Sequence, residues 1–517
     1  MQDNRPAPPA PLAGAKLFFA TVSLSLATLM IVIDTTIANV SIPAISGDLG
    51  VSTSQGTWVI TFFAVSNAVA VPLTGWLIQR LGQIKLFVWS VALFIMSSFL
   101  CGMAWNIESL IGFRIMQGFV AGPVIPLSMS LLLQCYPREK AGMAIALWSM
   151  TVTVAPIAGP ILGGWLTDNI SWPWIFYVNI PIGIVSLIVS LLVIGDRESP
   201  TRKLPVDKVG LALLITWVGC FQIMLDKGKE LDWFGSPLII VLAVVSVVAF
   251  AYFLVWELTE KHPIIDLSLF KIRNFTVSTM TLSLGYGVFF MNLVIVPLWL
   301  QKYMGYTATW AGLVTAAFGI FAIILSPFVG KGISKYDPRL FVTFAFTFFS
   351  AAFFMRSGFS LDVDAKSIAL NHLFQGIGMA AFMTPLNAMA VAGLAHDRIG
   401  AASGLINFAR IMLGAFSASV GTTIWENRAA MHHARLTEEV NSYSPVWQHT
   451  LDALSSVHIT GARAYAMIEN EINRQSFMFS AAEMFKVSGI LILCLICVVW
   501  LARPKKVKAG PDSAGGH

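Results

Sequence analysis

Apolar residues fill this chain of 517 residues in long runs, and polar residues gather in the gaps between them. A helix needs about 20 predominantly apolar residues to cross the hydrocarbon core of a bilayer. Runs of that kind fall near 17–41, 55–78, 86–105, 108–133, 142–166, 174–195, 207–225, 237–257, 274–297, 309–330, 340–358, 366–389, 400–425 and 484–502. The pattern predicts an all-α polytopic membrane protein with fourteen transmembrane helices.

Lysine and arginine set the orientation, because cytoplasmic loops carry the basic excess. With the N-terminus inside, the inner loops hold Arg80, Lys85, Arg138, Lys140, Arg197, Arg202, Lys203, Lys208, Lys261, Lys271, Arg273, Lys331, Lys335, Arg339 and Arg398. The short outer loops hold only Lys227, Lys229, Lys302 and Lys366. Both ends are therefore expected in the cytoplasm, residues 1–16 as a leading segment and 503–517 as a basic tail. Composition agrees: 56% hydrophobic and 12% charged residues, with a mean hydropathy of +0.75, do not make a soluble surface. The net charge of +6 is then an inside bias, which removes the case for a nucleic-acid partner. Five scattered cysteines, an odd number, argue against a disulfide framework.

One polar stretch, 426–482, separates the last two runs on the outer side. It mixes His432, His433, Arg435, Glu438 and Glu439 with Trp447, Leu451, Leu454, Met467 and Ile472. This predicts helices with one apolar face, folded against the spans or docking a partner protein. No acid or cysteine stands at a ligand spacing beside the paired histidines, so no metal is expected there.

The chain also echoes itself. Arg114-Ile-Met-Gln117-Gly118 has a counterpart in His372-Leu-Phe-Gln375-Gly376, each followed about nine residues later by a proline, Pro126 or Pro385. The loop from Gly75 to Lys85 is matched by Gly330 to Arg339. Repeats at corresponding positions predict a transporter of two halves with its solute near the midplane. The expected division is a six-helix bundle over 17–195, an inserted helix pair with flanking loops over 196–273, and a second six-helix bundle over 274–502 that includes the 426–482 loop.

Charges inside the spans are the candidates for chemistry, since an ionisable group there is costly unless it functions. Asp34 lies roughly 10 Å below the outer end of the first span, and Arg114 about 9 Å below the same surface on the fourth, at 1.5 Å per residue. Burial penalises the charged acid and a nearby arginine stabilises it, so its proton occupancy would depend on how closely Arg114 approaches. That suits proton coupling; a permanent ion pair holding helices together is the alternative. Asn39, Gln117, Asn292 and Gln375 are candidates to line a cavity, though amides also join helices. His372 takes the place in the second half that Arg114 takes in the first. Arg410, near Asn407, serves either substrate contact or helix pairing. In the fifth span, Gly159-Pro160-Ile-Leu-Gly163-Gly164 sets small residues four apart, which lets backbones approach, while prolines bend the helix. No Gly-x-x-x-x-Gly-Lys-Ser/Thr loop offers an ATP site, so an ion gradient must supply the energy.

These motifs together resemble the major facilitator superfamily, in particular its fourteen-span drug:proton antiporters of the EmrB type. Gly159-Pro160-x-x-Gly163-Gly164 is similar to that group's antiporter motif, Arg114-x-x-Gln117-Gly118 to its fourth-helix motif, and Asp34-Thr-Thr-Ile-Ala-Asn39-Val-x-Ile-Pro43 to its first-helix motif. The likeness extends through Gln55-Gly-Thr-Trp58-Val-Ile-Thr61, which adds Trp58 and Thr61 as cavity-lining candidates, and to Met431-His432-His433-Ala434. The resemblance implies the major facilitator fold arranged as 6 + 2 + 6. It further implies proton-driven export of hydrophobic compounds from the cell inner membrane with no cofactor, Asp34 as the protonation site, a periplasmic adaptor of the EmrA type and an outer-membrane channel of the TolC type. A dedicated exporter, of fatty acids for example, or an importer or uniporter would share the fold. One departure stands out: the family's loop after the second helix has an acid where this chain has Gln79, which puts a charge-based latch there in doubt.

Overall fold

The computed structural model describes residues 11–51, 53–201, 207–260, 263–333, 335–440 and 445–503. The expected basic tail beyond Arg503, the first ten residues and the loop cations Arg202, Lys203 and Lys261 lie outside the described residues. Within them the chain is helical, with no strand.

In order the helices are α1 (Gly14–Ile37), α2 (Ile42–Asp48), α3 (Thr53–Leu81), α4 (Gln83–Gly102), α5 (Ile107–Ala121), α6 (Val124–Cys135), α7 (Ala141–Asn169), α8 (Trp174–Tyr177), α9 (Asn179–Ile194) and α10 (Lys208–Lys227). There follow α11 (Pro237–Thr259), α12 (Arg273–Tyr303), α13 (Ala308–Ala316), α14 (Phe318–Gly332), α15 (Pro338–Ser357), α16 (Ala365–Ala380), α17 (Met383–Val391), α18 (His396–Glu439), α19 (Pro445–Ser456) and α20 (Ala462–Val499). Among the described residues, 12 helical segments are long and apolar enough to cross a membrane. The expected spans 142–166 and 366–389 correspond to α7 and to α16 with α17. Neither is among the 12: the described apolar stretch of α7 is Ala141–Val152, and the other span is divided between α16 and α17, with the polar Asn371, His372 and Gln375 along it.

That break has a twin. α5 stops at Ala121 and α6 resumes at Val124, as α16 stops at Ala380 and α17 resumes at Met383. Pro126 and Pro385 lack the N–H that would bond four residues back, and their rings crowd that carbonyl, so each helix is interrupted at its own proline. Packing repeats as well. α1 lies against α7 and α9, α3 against α5, and α4 against α5 and α9; in the same order α12 lies against α18 and α20, α14 against α16, and α15 against α16 and α20. Gly118 abuts the Phe63 carbonyl of α3, and its counterpart Gly376 abuts the Phe318 carbonyl of α14, each without room for a Cβ. The sequence echo is thus a packing echo.

Two seams join the first set of helices to the second, α7 on α14 and α3 on α18. Both are closed by glycine at one end. Gly142 and Gly330 meet backbone to backbone, and Gly75 meets Ala401. α10 packs against α3 and α18, while α11 packs mainly on α10 and leaves most of its surface outside.

The helices expected within 426–482 are present among the described residues, and most of them continue the neighbouring spans rather than form a separate loop. α18 runs on for 44 residues and α20 for 38, about 66 and 57 Å at 1.5 Å per residue, twice the hydrocarbon thickness. Their projecting ends are tied by Arg428 and His432 to Glu483, at 2.7 and 3.1 Å, and by His433 to Glu469 at 2.8 Å. The Arg428–Glu483 ion pair and the histidine–carboxylate contacts beside it show how a polar sequence continues two membrane helices.

Candidate functional site

The candidate site is built from α1, α4, α5 and α9. A capping box starts α5: the Asn106 side chain accepts from the Ser109 N–H at 2.8 Å, and the Ser109 hydroxyl answers the Asn106 N–H at 3.3 Å. The helix so fixed carries Arg114 two turns in, and Gln117 one turn beyond, on the face turned to α1.

Asp34 and Arg114 are both fully buried. Arg114 Nη1 donates to Asp34 Oδ2 at 2.7 Å and to Gln117 Oε1 at 2.7 Å. Gln117 Nε2 donates to Asp34 Oδ1 at 3.2 Å and to Ser98 Oγ of α4 at 2.8 Å. Asn179 Nδ2, at the start of α9, reaches Asp34 Oδ1 at 2.7 Å. The guanidinium also donates from Nε to the Val59 carbonyl at 3.1 Å and stacks on Phe63, its centre 4.0 Å from the ring centroid. The carboxylate therefore has three side-chain donors from two other helices. Breaking such a pair from one side costs about 3–5 kcal/mol, because the remaining charge is left buried alone. Among the described residues Arg114 Nη2 has no hydrogen-bond partner, so the cation retains a donor for another ligand.

The antiporter-like glycines press on the same helix. Gly159 fits against Thr36 and the Ile33 carbonyl, and Gly163 against the Ile37 carbonyl, whereas nothing lies within 4 Å of a Cβ placed on Gly164. The side chain of Pro160 lies outside the described residues. The contact joins α7 to α1 beside Asp34, while α7 itself continues the seam to α14.

The remaining candidates lie elsewhere. Asn39 is exposed in a short 3-10 turn, Ala38–Ser41. Trp58 is 43% exposed and meets the Phe62 ring edge to face. Thr61 is buried and donates to Asp226 of α10, tying α3 to the inserted pair. Asn292 of α12 donates to Ser488 of α20 at 2.9 Å. His372 is buried, and its Nδ1 faces the Ile368 carbonyl of its own helix at 2.9 Å.

Two partners escape a reading of the sequence. Asn179 opens an apolar run beside Pro181, so nothing in its neighbourhood marks it. The second is Arg356, in the last turn of α15. It is 1% exposed and donates to Asn371 Oδ1 at 2.8 and 3.0 Å and to Gln375 Oε1 at 2.7 Å. Standing just before Ser357-Gly358, it reads as an interfacial residue, yet it supplies the buried cation that the histidine position lacks. Arg410, 3% exposed, lies between the Trp148 ring of α7 and the Tyr286 ring of α12, with centroid distances of 5.8 and 5.1 Å. A cavity of about 640 Å³ lies far down α1 from Asp34, walled by Phe18, Val22, Leu26, Met150, Val154 and Ile323. It is apolar, and no charged residue lines it.

Residues 24–419 match the family model of the Major Facilitator Superfamily. The chain is 48% identical to the multidrug export protein EmrB of Escherichia coli over 98% of its length and 99% of the relative's. It is 48% identical to the fatty acid resistance protein FarB of Neisseria gonorrhoeae over the same shares. The Haemophilus influenzae multidrug export protein EmrB is 47% identical over 96% of this chain and 97% of its own.

Proposed function

The chain belongs to the Major Facilitator Superfamily and is a multi-span membrane transporter rather than an enzyme, and from there we propose that it is a proton-driven exporter of hydrophobic compounds. Its relatives are named for multidrug export and fatty acid resistance, which supports a multidrug or fatty-acid exporter. The observation that carries the coupling is the buried Asp34, held by Arg114, Gln117 and Asn179. A carboxylate that is fully satisfied when charged releases its cation partner when it takes a proton. In the proposed cycle a proton from the outer side neutralises Asp34, Arg114 loosens, solute leaves outward, and the proton departs inward after the helices rock. One charge moving down about 100 mV supplies around 2.3 kcal/mol, enough for a concentration ratio of about fifty.

Counting α7 and the broken pair α16–α17 as spans gives the proposed fourteen, arranged as six, an inserted two and six, in the inner membrane with both termini cytoplasmic. The projecting ends of α18 and α20, with α19, stand on the periplasmic side in this reading and meet a membrane-fusion adaptor, which leads to an outer-membrane channel. The test is solute uptake by everted vesicles that carry the protein. An imposed proton gradient drives accumulation in them, and a protonophore abolishes it. Uptake that continues without any gradient would refute the coupling.

A further inference from the structure

Among the described residues six acidic or basic side chains are buried: Asp34, Arg114, Glu257, Arg356, Arg410 and His372, the last with its Nδ1 on the Ile368 carbonyl of its own helix. Asp34 and Arg114 cancel one another. Glu257 sits near the end of α11, where its carboxylate accepts the Ile265 N–H at 3.1 Å, away from the junction of the two helix sets. Arg356 is answered by the amide oxygens of Asn371 and Gln375. Arg410 is answered by nothing comparable. Its Nε and Nη1 have no hydrogen-bond partner, and no ion pair is made with it among the described residues.

The position of this cation makes it a recognition group. Arg410 lies 12 residues past Arg398 and Tyr286 lies 13 past Arg273, about 18 and 20 Å along their helices at 1.5 Å per residue, beyond the reach of a lipid headgroup. Trp148 comes from the first helix set and Tyr286 from the second, so the guanidinium bridges the junction that must open and close. Ser403 and Asn407 stand seven and three residues before it, on the same face of α18. Ser403 Oγ and Asn407 Oδ1 are also buried without partners. One face of one helix thus carries unmet donors and acceptors around an unpaired charge, flanked by two aromatic walls. A buried cation kept without a counter-ion costs stability in any protein that has no use for it.

We infer that Arg410 is the counter-charge for the anionic head of a transported amphiphile, so that this exporter selects organic anions, carboxylates above all. The inference takes from the export reading only that the bound anion is cargo. It is tested by calorimetric binding to the full-length protein in phosphatidylcholine nanodiscs, with three probes of one skeleton: 4-phenylbutyrate, its methyl ester and 4-phenylbutylamine. The wild type should bind the carboxylate at least tenfold more tightly than the ester or the amine. Arg410→Gln should erase that ratio, and Arg410→Lys, which keeps the charge, should restore part of it. Equal affinities for the three probes in the wild type, no binding of the carboxylate, or an unchanged ratio in Arg410→Gln would each overturn the inference. The wild-type charge series decides the matter even if the glutamine variant does not fold. Binding needs no gradient, so a protein that shows the preference yet fails to accumulate solute in vesicles refutes the export reading and leaves this one standing.

Discussion

Asp34 and Arg114 could be read from the chain because each interrupts an apolar run, and because counting residues from the run ends put them at one depth. The structure joins them at 2.7 Å. Their amide partners were harder to see, since asparagine and glutamine within a span serve helix packing as readily as function. Asn179 is the informative case. Its 2.7 Å bond to Asp34 is a hydrogen bond to a charged group, and such bonds contribute about 1.5–3 kcal/mol. Asn179→Ala should therefore lower unfolding stability by about that amount in a detergent thermal melt; an unchanged melt would mean that Asp34 does not depend on α9. Arg356 was hidden for a different reason. A cation in the last turn of a span looks solvated when only the sequence is available, and the side chains that bury it come from α16 and α20, far along the chain.

Helix identity and order follow from hydrophobic length, but the places where helices break or touch do not. The proline interruptions after α5 and α16 repeat because the sequence repeats, and the glycines that follow Gln117 and Gln375 do the same work against α3 and α14. The glycine motif of α7 gave a correct expectation of close approach without saying against what; the partner is α1, beside Asp34. Its glycines are not equivalent. Gly163→Ala would drive a Cβ into the Ile37 carbonyl and should cost about 1–3 kcal/mol of stability through overpacking, with reduced export. Gly164→Ala meets nothing and, by stiffening the helix, should be neutral or stabilising by about 0.5–1 kcal/mol. Equal melting temperatures for the two variants would remove the α1–α7 contact from the account. Where Gln79 replaces the family's acid, a carboxylate arrives from elsewhere. Glu198, after α9, accepts the N–H groups of Ile84 and Lys85 at 3.1 and 2.9 Å and caps α4, with Gly82 at φ +90° making room for it.

The two helix sets meet along α7–α14 and α3–α18, seams that no sequence pattern announces, because their small residues resemble those of any membrane-helix contact. The long ends of α18 and α20 were legible only in part: the apolar positions of 426–482 predict helices, but nothing in the sequence shows that these continue the spans, with Arg428 set on Glu483 and His433 on Glu469. Trp425 and Phe477 touch at the base of this projection. Replacing 430–475 by a short linker should therefore leave the membrane core intact while impairing adaptor-dependent export; full export with the adaptor present would count against docking there. The coupling claim itself concerns one proton. With purified protein in a weakly buffered solution containing a pH indicator, adding a solute that binds should release a proton from the wild type, while Asp34→Asn binds the same solute and releases none. Equal proton release by the two proteins would show that the coupling group lies somewhere other than Asp34.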